Sequence, residues 1–340
     1  MSERGDRIAV VGTTSWGTTL AVLFARNGHD VVLSARTEAE ADTLEAKREN
    51  ERHRPGLGFP ETLRVSADPA SLAEASLVVL AVPSHTLEAN LERVGRGIGA
   101  EASVLSAIKG LDPGTGWRMS ETIAAHGVDA RRILVLSGPN FASEVAAGLP
   151  AATVVAGQDE TRARQAQALL AGPTFRVYTS ADVVGVELGG ALKNVIAIAC
   201  GISDGLGFGE NAKAGLITRG LAEIVRLGVA LGASAMTFLG LAGVGDLVLT
   251  CESDLSRNRR LGLALAAGRS REEALASVDG VVEGAVAVRA VGSLAARASV
   301  EMPISEALYA VLYEGRSPGD AVRALMARSA KAELEGLDLV

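Results

Sequence analysis

Eight short runs rich in Val, Ile, Leu and Ala punctuate the first half of this 340-residue chain, at 7–12, 30–35, 63–68, 76–82, 103–108, 132–137, 152–156 and 175–179. Between most of them lie stretches with helical spacing, such as 16–27, 38–50, 86–96 and 160–170. Parallel strands need a crossover to return, so this alternation predicts βαβ units and a mainly parallel sheet. VVLAVP (78–83) is apolar at every position, as a strand covered on both faces should be. After about Asp182 the strand-like runs stop. The stretches 183–202, 212–232, 271–277, 285–297 and 301–314 are rich in Ala, Gly and Leu and read as helices. The expectation is an α/β domain over residues 1–182 and an all-α domain over 183–340, the second opening on a continuous helix. Aromatics are only 3%, so small aliphatic residues must build both cores.

The first strand runs into GTTSWG (12–17) and then a helix. That is the setting of the Rossmann fingerprint G-x-G-x-x-G, which makes the first domain Rossmann-type. Gly12 would allow the tight turn and Gly17 the close packing of helix on strand. Thr14 stands where the middle glycine lets backbone approach a pyrophosphate. Ser15 and Trp16 open the helix, whose N-terminal amides can bind an anion. An ordinary strand–helix turn would look much the same. At the end of the second strand, an acid would suit the ribose hydroxyls of NAD and an arginine the 2′-phosphate of NADP. Arg36 holds that place, which favours NADP, with Glu38 two residues on and free to face solvent. A solvated arginine opening a helix is the alternative.

The densest chemistry lies further on. ELGGALKNVIAIA (187–199) sets Lys193 in an otherwise apolar helix. A lysine there loses hydration unless it snorkels or is used, and one with a lowered pKa can serve as acid or base. A lysine at a helix edge reads the same way. LAGVGDLVLTC (241–251) puts Asp246 in a Gly-rich apolar loop, where an acid needs a partner such as Lys193. SRNRR (256–260) offers Arg257 and Asn258 as phosphate donors, or as a basic surface patch. In a chain of net charge −7, a local basic cluster fits a small anion better than a nucleic acid.

These blocks, with AVPS (81–84), Lys109–Gly110, GPNFASEVA (138–146) and VVEG (281–284), resemble the bacterial NAD(P)-dependent glycerol-3-phosphate dehydrogenase family over about 7–328. The resemblance implies reversible hydride transfer between NAD(P)H and dihydroxyacetone phosphate, supplying glycerol 3-phosphate for glycerophospholipid synthesis. It implies Lys193 as general acid/base and Asp246 as its partner. It implies substrate contacts from Lys109, Gly138, Asn140, Lys193, Asp246, Ser256, Arg257 and Asn258. Cofactor contacts would come from Gly12, Ser15, Trp16, Gly17, Arg36, Lys109, Ala142, Arg257, Val281 and Glu283. Lys109 and Arg257 would then serve both ligands in the domain cleft. A homodimer is the family expectation. The chain departs from the family pattern at Thr14, at His53 and Arg54 in NERHRPGLGFP (50–60), and at Asn140, where Ser or Thr is usual.

Other classes find less support. The four histidines have no metal-ligand spacing, and no HExxH or CxxC occurs, so no metal is expected. Cys200 and Cys251 are too few for a disulfide framework, which favours a reducing compartment. The N-terminus lacks signal-peptide shape. The uncharged stretch 227–245 is too rich in Gly for a membrane span and reads as a buried helix end and loop. A cytoplasmic protein with no membrane span follows. Two rival readings stand beside the leading one: a related dehydrogenase of another small acid, and a non-catalytic dinucleotide-binding sensor.

Overall fold

The computed structural model describes residues 5–330 and 332–333. The chain divides into two compact units. The first holds 5–108 and 119–183. The second holds 109–118 and the residues from 184 on.

The first unit is built on one eight-stranded sheet in the order β3-β2-β1-β4-β5-β6-β7-β8. The strands are β1 (Arg7–Val11), β2 (Asp30–Ser34), β3 (Leu63–Ser66), β4 (Leu77–Leu80), β5 (Ser103–Ser106), β6 (Ile133–Ser137), β7 (Ala151–Gly157) and β8 (Phe175–Ser180). Each coincides with one of the eight apolar runs. All neighbours pair parallel except β6 and β7. Its helices are α1 (Ser15–Arg26), α2 (Glu38–Lys47), α3 (Leu87–Val94), α4 (Met119–Ala125), α5 (Ala142–Ala146) and α6 (Glu160–Leu170). Alternation along β1 sends Ile8 and Val10 into the apolar cluster on one face and Ala9 and Val11 into that on the other. Both faces are therefore dry, which explains why the central strands carry no polar alternation.

The second unit is helical: α7 (Val183–Gly205), α8 (Glu210–Ala230), α9 (Asp246–Glu252), α10 (Arg257–Ala266), α11 (Arg271–Ala276), α12 (Glu283–Ala298), α13 (Pro303–Tyr313) and α14 (Pro318–Met326). Helix α7 is the central element, buried on every side from Gly185 to Ile198. Among the described residues it alone is long and apolar enough to cross a membrane, but most of it is covered by protein. The stretch 227–245 ends α8 and continues as a short helical turn, Ala235–Leu239, and a kinked segment, Leu241–Gly245, whose backbone is non-helical at Gly243. Asp246 does not lie in the loop expected for it. It is the first residue of α9, because the glycine-rich turn runs straight into that helix.

Helices α7 and α10 cross at a glycine contact. A Cβ on Gly201 would overlap the carbonyl oxygen of Arg259, and one on Gly262 would overlap that of Ile198. The crossing brings the helix that carries Lys193 backbone to backbone with the one that begins at Arg257.

Candidate active site

The nucleotide-type turn in the first unit is built as its glycines require. Gly12 has φ +111°, and a Cβ there would lie 2.8 Å from the Ala81 carbonyl oxygen. A Cβ on Gly17 would overlap the Gly12 carbonyl oxygen, so α1 can sit this close to β1 only with glycine. Thr14 is the N-cap of α1. Its hydroxyl accepts from the Gly17 N–H at 3.0 Å and donates to the Ala81 carbonyl at 2.7 Å. The side chain that replaces the fingerprint's middle glycine is thus spent inside the fold, capping a helix and tying β1 to the end of β4. Ser15 and Trp16 follow as the first two residues of α1, both half-buried.

The end of β2 differs from the reading of its sequence in one residue. Arg36 is exposed, and Glu38 is exposed as expected. The acid that turns back is Glu40. Its Oε1 accepts from the Thr13 hydroxyl at 2.6 Å and its Oε2 from the Arg36 N–H at 3.0 Å. Burial works to raise its pKa. The bonds from Thr13 and Arg36, with the charges of Arg36 and His53, outweigh burial and hold the carboxyl below its ordinary value. Arg93 of α3 donates to the Ala35 carbonyl at 3.0 Å and lies within electrostatic reach of Glu40 and Arg36. On the far side of the sheet end, Gly138 (φ +153°) would place a Cβ 2.9 Å from the Thr153 Cα. Asn140 donates through Nδ2 to the carbonyls of Pro139 and Ala152, both at 2.9 Å. Its donors are turned into the fold, and its buried Oδ1 has no partner among the described residues. Ala142 opens α5, and its carbonyl accepts from Thr19 of α1 at 3.3 Å.

In the second unit three charged side chains meet. Lys193 Nζ donates to Asp246 Oδ1, and Lys109 Nζ donates to Asp246 Oδ2 at 2.8 Å. Lys193 also donates to the Thr250 hydroxyl at 2.9 Å, which in turn donates to the Asp246 carbonyl at 2.6 Å. Lys193 and Asp246 are buried, at 5% and 1% exposure. Two ammonium groups share one carboxylate, so the cluster carries an excess positive charge where water is scarce. Burial pushes Lys193 down to about 7; Asp246 opposes the shift and Lys109 adds to it. A lysine so placed can exchange a proton near neutral pH.

A chain of amides surrounds this centre. Asn194 Nδ2 donates to the Lys109 carbonyl at 3.1 Å, Asn258 Nδ2 donates to Asn194 Oδ1 at 2.9 Å, and the Gly284 N–H donates to Asn258 Oδ1 at 2.9 Å. The chain laces 109–118, α7, α10 and α12 together. Ser256 caps α10 by accepting from the Arg259 N–H at 3.2 Å. Arg257 is the exposed first residue of that helix and faces Glu283, the first residue of α12, electrostatically. Val281 lies two residues before it. Lys109, Lys193, Asp246 and Asn258 therefore form one bonded set, with Arg257 and Glu283 beside it. Gly12, Ser15, Trp16, Gly17, Arg36, Gly138, Asn140 and Ala142 belong to the first unit.

Thr250, Asn194 and Glu40 were not singled out from the sequence. Thr250 stands four residues after Asp246, one turn along the same helix face, and Asn194 directly follows Lys193; both positions carry a signal of spacing. Among the described residues no group of His, Cys, Asp and Glu could hold a metal ion.

The chain is similar to known proteins over most of its length. The model of the NAD-dependent glycerol-3-phosphate dehydrogenase N-terminus matches residues 7–163, and that of the C-terminus matches 182–323. A glycerol-3-phosphate dehydrogenase (NAD(P)+) of Corynebacterium glutamicum strain R is 51% identical over 329 residues, covering 96% of this chain and 99% of the relative. One from Streptomyces coelicolor is 50% identical over 329 residues, covering 96% and 98%. A crystal structure of glycerol-3-phosphate dehydrogenase from Coxiella burnetii is 39% identical, covers 95% of this chain and 99% of its own, and superposes with a TM-score of 0.91.

Proposed function

The chain belongs to the NAD-dependent glycerol-3-phosphate dehydrogenase family, and from that premise we propose that it interconverts dihydroxyacetone phosphate and glycerol 3-phosphate with NAD(P)(H). The observation that carries this reading is the buried Lys193–Asp246–Lys109 cluster. Bound NAD(P)H supplies the hydride. The turn at Gly12 fits such a dinucleotide, because it is so tight that a Cβ on Gly12 would meet the Ala81 carbonyl and Val82, and it leads directly into the amides opening α1.

The remaining chemistry belongs to this chain. During reduction the Lys193 ammonium gives a proton to the oxygen of the substrate carbonyl as negative charge develops on it. In oxidation the neutral amine takes the proton from the alcohol. Asp246 fixes the direction of Nζ, and Lys109 adds positive charge toward the forming oxyanion. Arg257, Asn258 and Ser256 at the start of α10 take the phosphate, with Gly138 and Asn140 as further substrate contacts. Asn258 acts there largely as a brace, since its amide already bonds Asn194 and Gly284. Gly12, Ser15, Trp16, Gly17, Arg36, Lys109, Ala142, Arg257, Val281 and Glu283 contact the cofactor, and Arg36 favours NADP. A cytoplasmic homodimer that feeds glycerophospholipid synthesis completes the proposal.

The test is spectrophotometric, at the nicotinamide absorbance. NADPH or NADH is expected to be oxidised only when dihydroxyacetone phosphate is present, and Lys193→Met is expected to lower kcat by about 10²–10⁴. Arg257→Ala is expected to raise the KM for dihydroxyacetone phosphate by at least about tenfold, through loss of a charged hydrogen bond to phosphate. Oxidation that does not depend on the triose phosphate would overturn the reading. An unchanged KM in Arg257→Ala would favour a substrate without phosphate.

A further inference from the structure

Arg36 alone does not describe the end of β2. Two hydrogen-bond donors converge there, the Thr13 hydroxyl and the Arg36 N–H, and both are taken by the carboxylate of Glu40. The position is fixed from several sides. Asn50 Nδ2 donates to the Thr13 carbonyl and to the Thr18 hydroxyl, both at 2.8 Å, which holds the loop carrying Thr13. Thr37 caps α2 by accepting from the Glu40 N–H at 3.2 Å, which sets the turn from which Glu40 reaches back. Arg93, tied to the Ala35 carbonyl, and Arg36 supply positive charge beside the carboxylate, and His53 adds to it when protonated.

In a Rossmann-type unit the adenosine ribose lies between the glycine-rich loop and the end of the second strand. Thr13 is in that loop and Arg36 is just past that strand. A 2′-phosphate entering here would be an anion seeking donors at the place where Glu40 already satisfies two. A ribose hydroxyl would instead find a carboxylate with lone pairs to spare, since each oxygen of Glu40 uses one of its two principal acceptor sites. We propose that Glu40 sets the balance between NADP(H) and NAD(H): its carboxylate occupies the donors a 2′-phosphate would use and offers an acceptor to a ribose 2′-hydroxyl. Arg36 and Arg93 draw the phosphorylated cofactor in, and Glu40 holds that preference down. The inference rests on the dinucleotide-binding reading of the first unit and adds a residue that determines its specificity.

The experiment is calorimetric titration of the intact protein with 2′,5′-ADP (adenosine 2′,5′-bisphosphate) and with 5′-AMP, which differ only in the 2′-phosphate. Glu40→Gln keeps an acceptor for Thr13 but loses the charge. Glu40→Ser is too short to reach, and it releases both donors. Both variants are expected to bind 2′,5′-ADP about tenfold more tightly, while 5′-AMP binds as before or slightly more weakly. The ratio of kcat/KM for NADPH over NADH should rise by a similar factor. A ratio of affinities that stays at the wild-type value in both variants would overturn the proposal. So would equal weakening of the two ligands, which would mark Glu40 as a brace for the loop and nothing more. Wild-type protein that bound neither nucleotide would remove the dinucleotide reading itself, and the proposal with it. Nucleotide binding without triose phosphate reduction would touch only the assigned reaction.

Discussion

At the scale of single residues, the role proposed for Lys193 as proton carrier rests on its surroundings. An exposed lysine is protonated at any physiological pH; this one sits at about 7 because burial outweighs its attraction to Asp246. The sign of the pH dependence follows. Reduction of dihydroxyacetone phosphate needs the ammonium form, so its kcat is expected to fall as pH rises through about 7. Oxidation of glycerol 3-phosphate needs the amine, so its kcat is expected to rise through the same interval. Asp246→Asn removes the group that favours the charged form, so both midpoints should move to lower pH. Profiles that stay flat between pH 6 and pH 8.5 in both directions would remove Lys193 from the proton transfer. Lys193 and Asp246 could be picked out in the sequence because each is a charge inside an apolar run. Glu40 could not, because Glu38 and Glu40 look alike until the turn after β2 shows which of them reaches Thr13. Asn140 is legible by residue type as a ligand contact, and the structure adds what the sequence could not show, that its side chain also holds the carbonyls of Pro139 and Ala152.

At the scale of elements, the eight strands could be read because strands buried on both faces are apolar throughout and their boundaries are sharp. Direction could not be read, since a strand carries no mark of which way it runs. The reversal at β7 has a geometric cause in the connection before it. Helix α5 has five residues and rises only about 7.5 Å, too little to return the chain along the sheet for another parallel strand. The short helices α4, α9 and α14 were not apparent from the sequence, because a few turns hold too few apolar repeats to define a face. What the glycines do is clearer in the structure than in their number. Gly262 permits the crossing of α7 and α10, so Gly262→Ala forces apart, at Ile198 and Ile202, the two helices that carry Lys193 and Arg257. It is expected to cost about 3 kcal/mol in stability and to lower kcat/KM for the triose phosphate. Gly292 on α12 is the matched control: it is exposed, and nothing lies within 4 Å of a Cβ built there. Gly292→Ala is expected to be neutral or stabilising by up to about 1 kcal/mol. Equal thermal unfolding temperatures for the two variants would show that the α7–α10 contact can open without penalty.

At the scale of the whole molecule, the division of labour between the units leads to a prediction about where ligands leave their mark. Each unit has its own apolar core. The first is a sheet with one cluster on each face, and the second is a bundle around α7. Sequence composition shows this change at about residue 182, yet it does not show that 109–118 packs with the second unit. A strand ending at Ser106 gives no sign that the chain then changes core, and the sign appears only as Leu111 joins the helical cluster and Lys109 meets Asp246. The adenosine half of the cofactor should therefore act on the first unit alone. With 2′,5′-ADP at about 100 times its Kd, the amides of 13–17 and of Arg36 are expected to exchange hydrogen up to about a hundredfold more slowly, because only the bound form keeps them closed. Inorganic phosphate, for which Arg257 is the proposed contact, should slow exchange at the start of α10 and leave 13–17 unaltered. The measurement is hydrogen exchange read by mass spectrometry, with both ligands on the same protein preparation. Protection by 2′,5′-ADP centred on α10, or by phosphate centred on the Gly12 turn, would exchange the roles assigned to the two units. Protection of each segment by its own ligand would locate the nucleotide at Gly12 and the phosphate at Arg257, which is the arrangement that hydride transfer to a phosphorylated ketone requires of this chain.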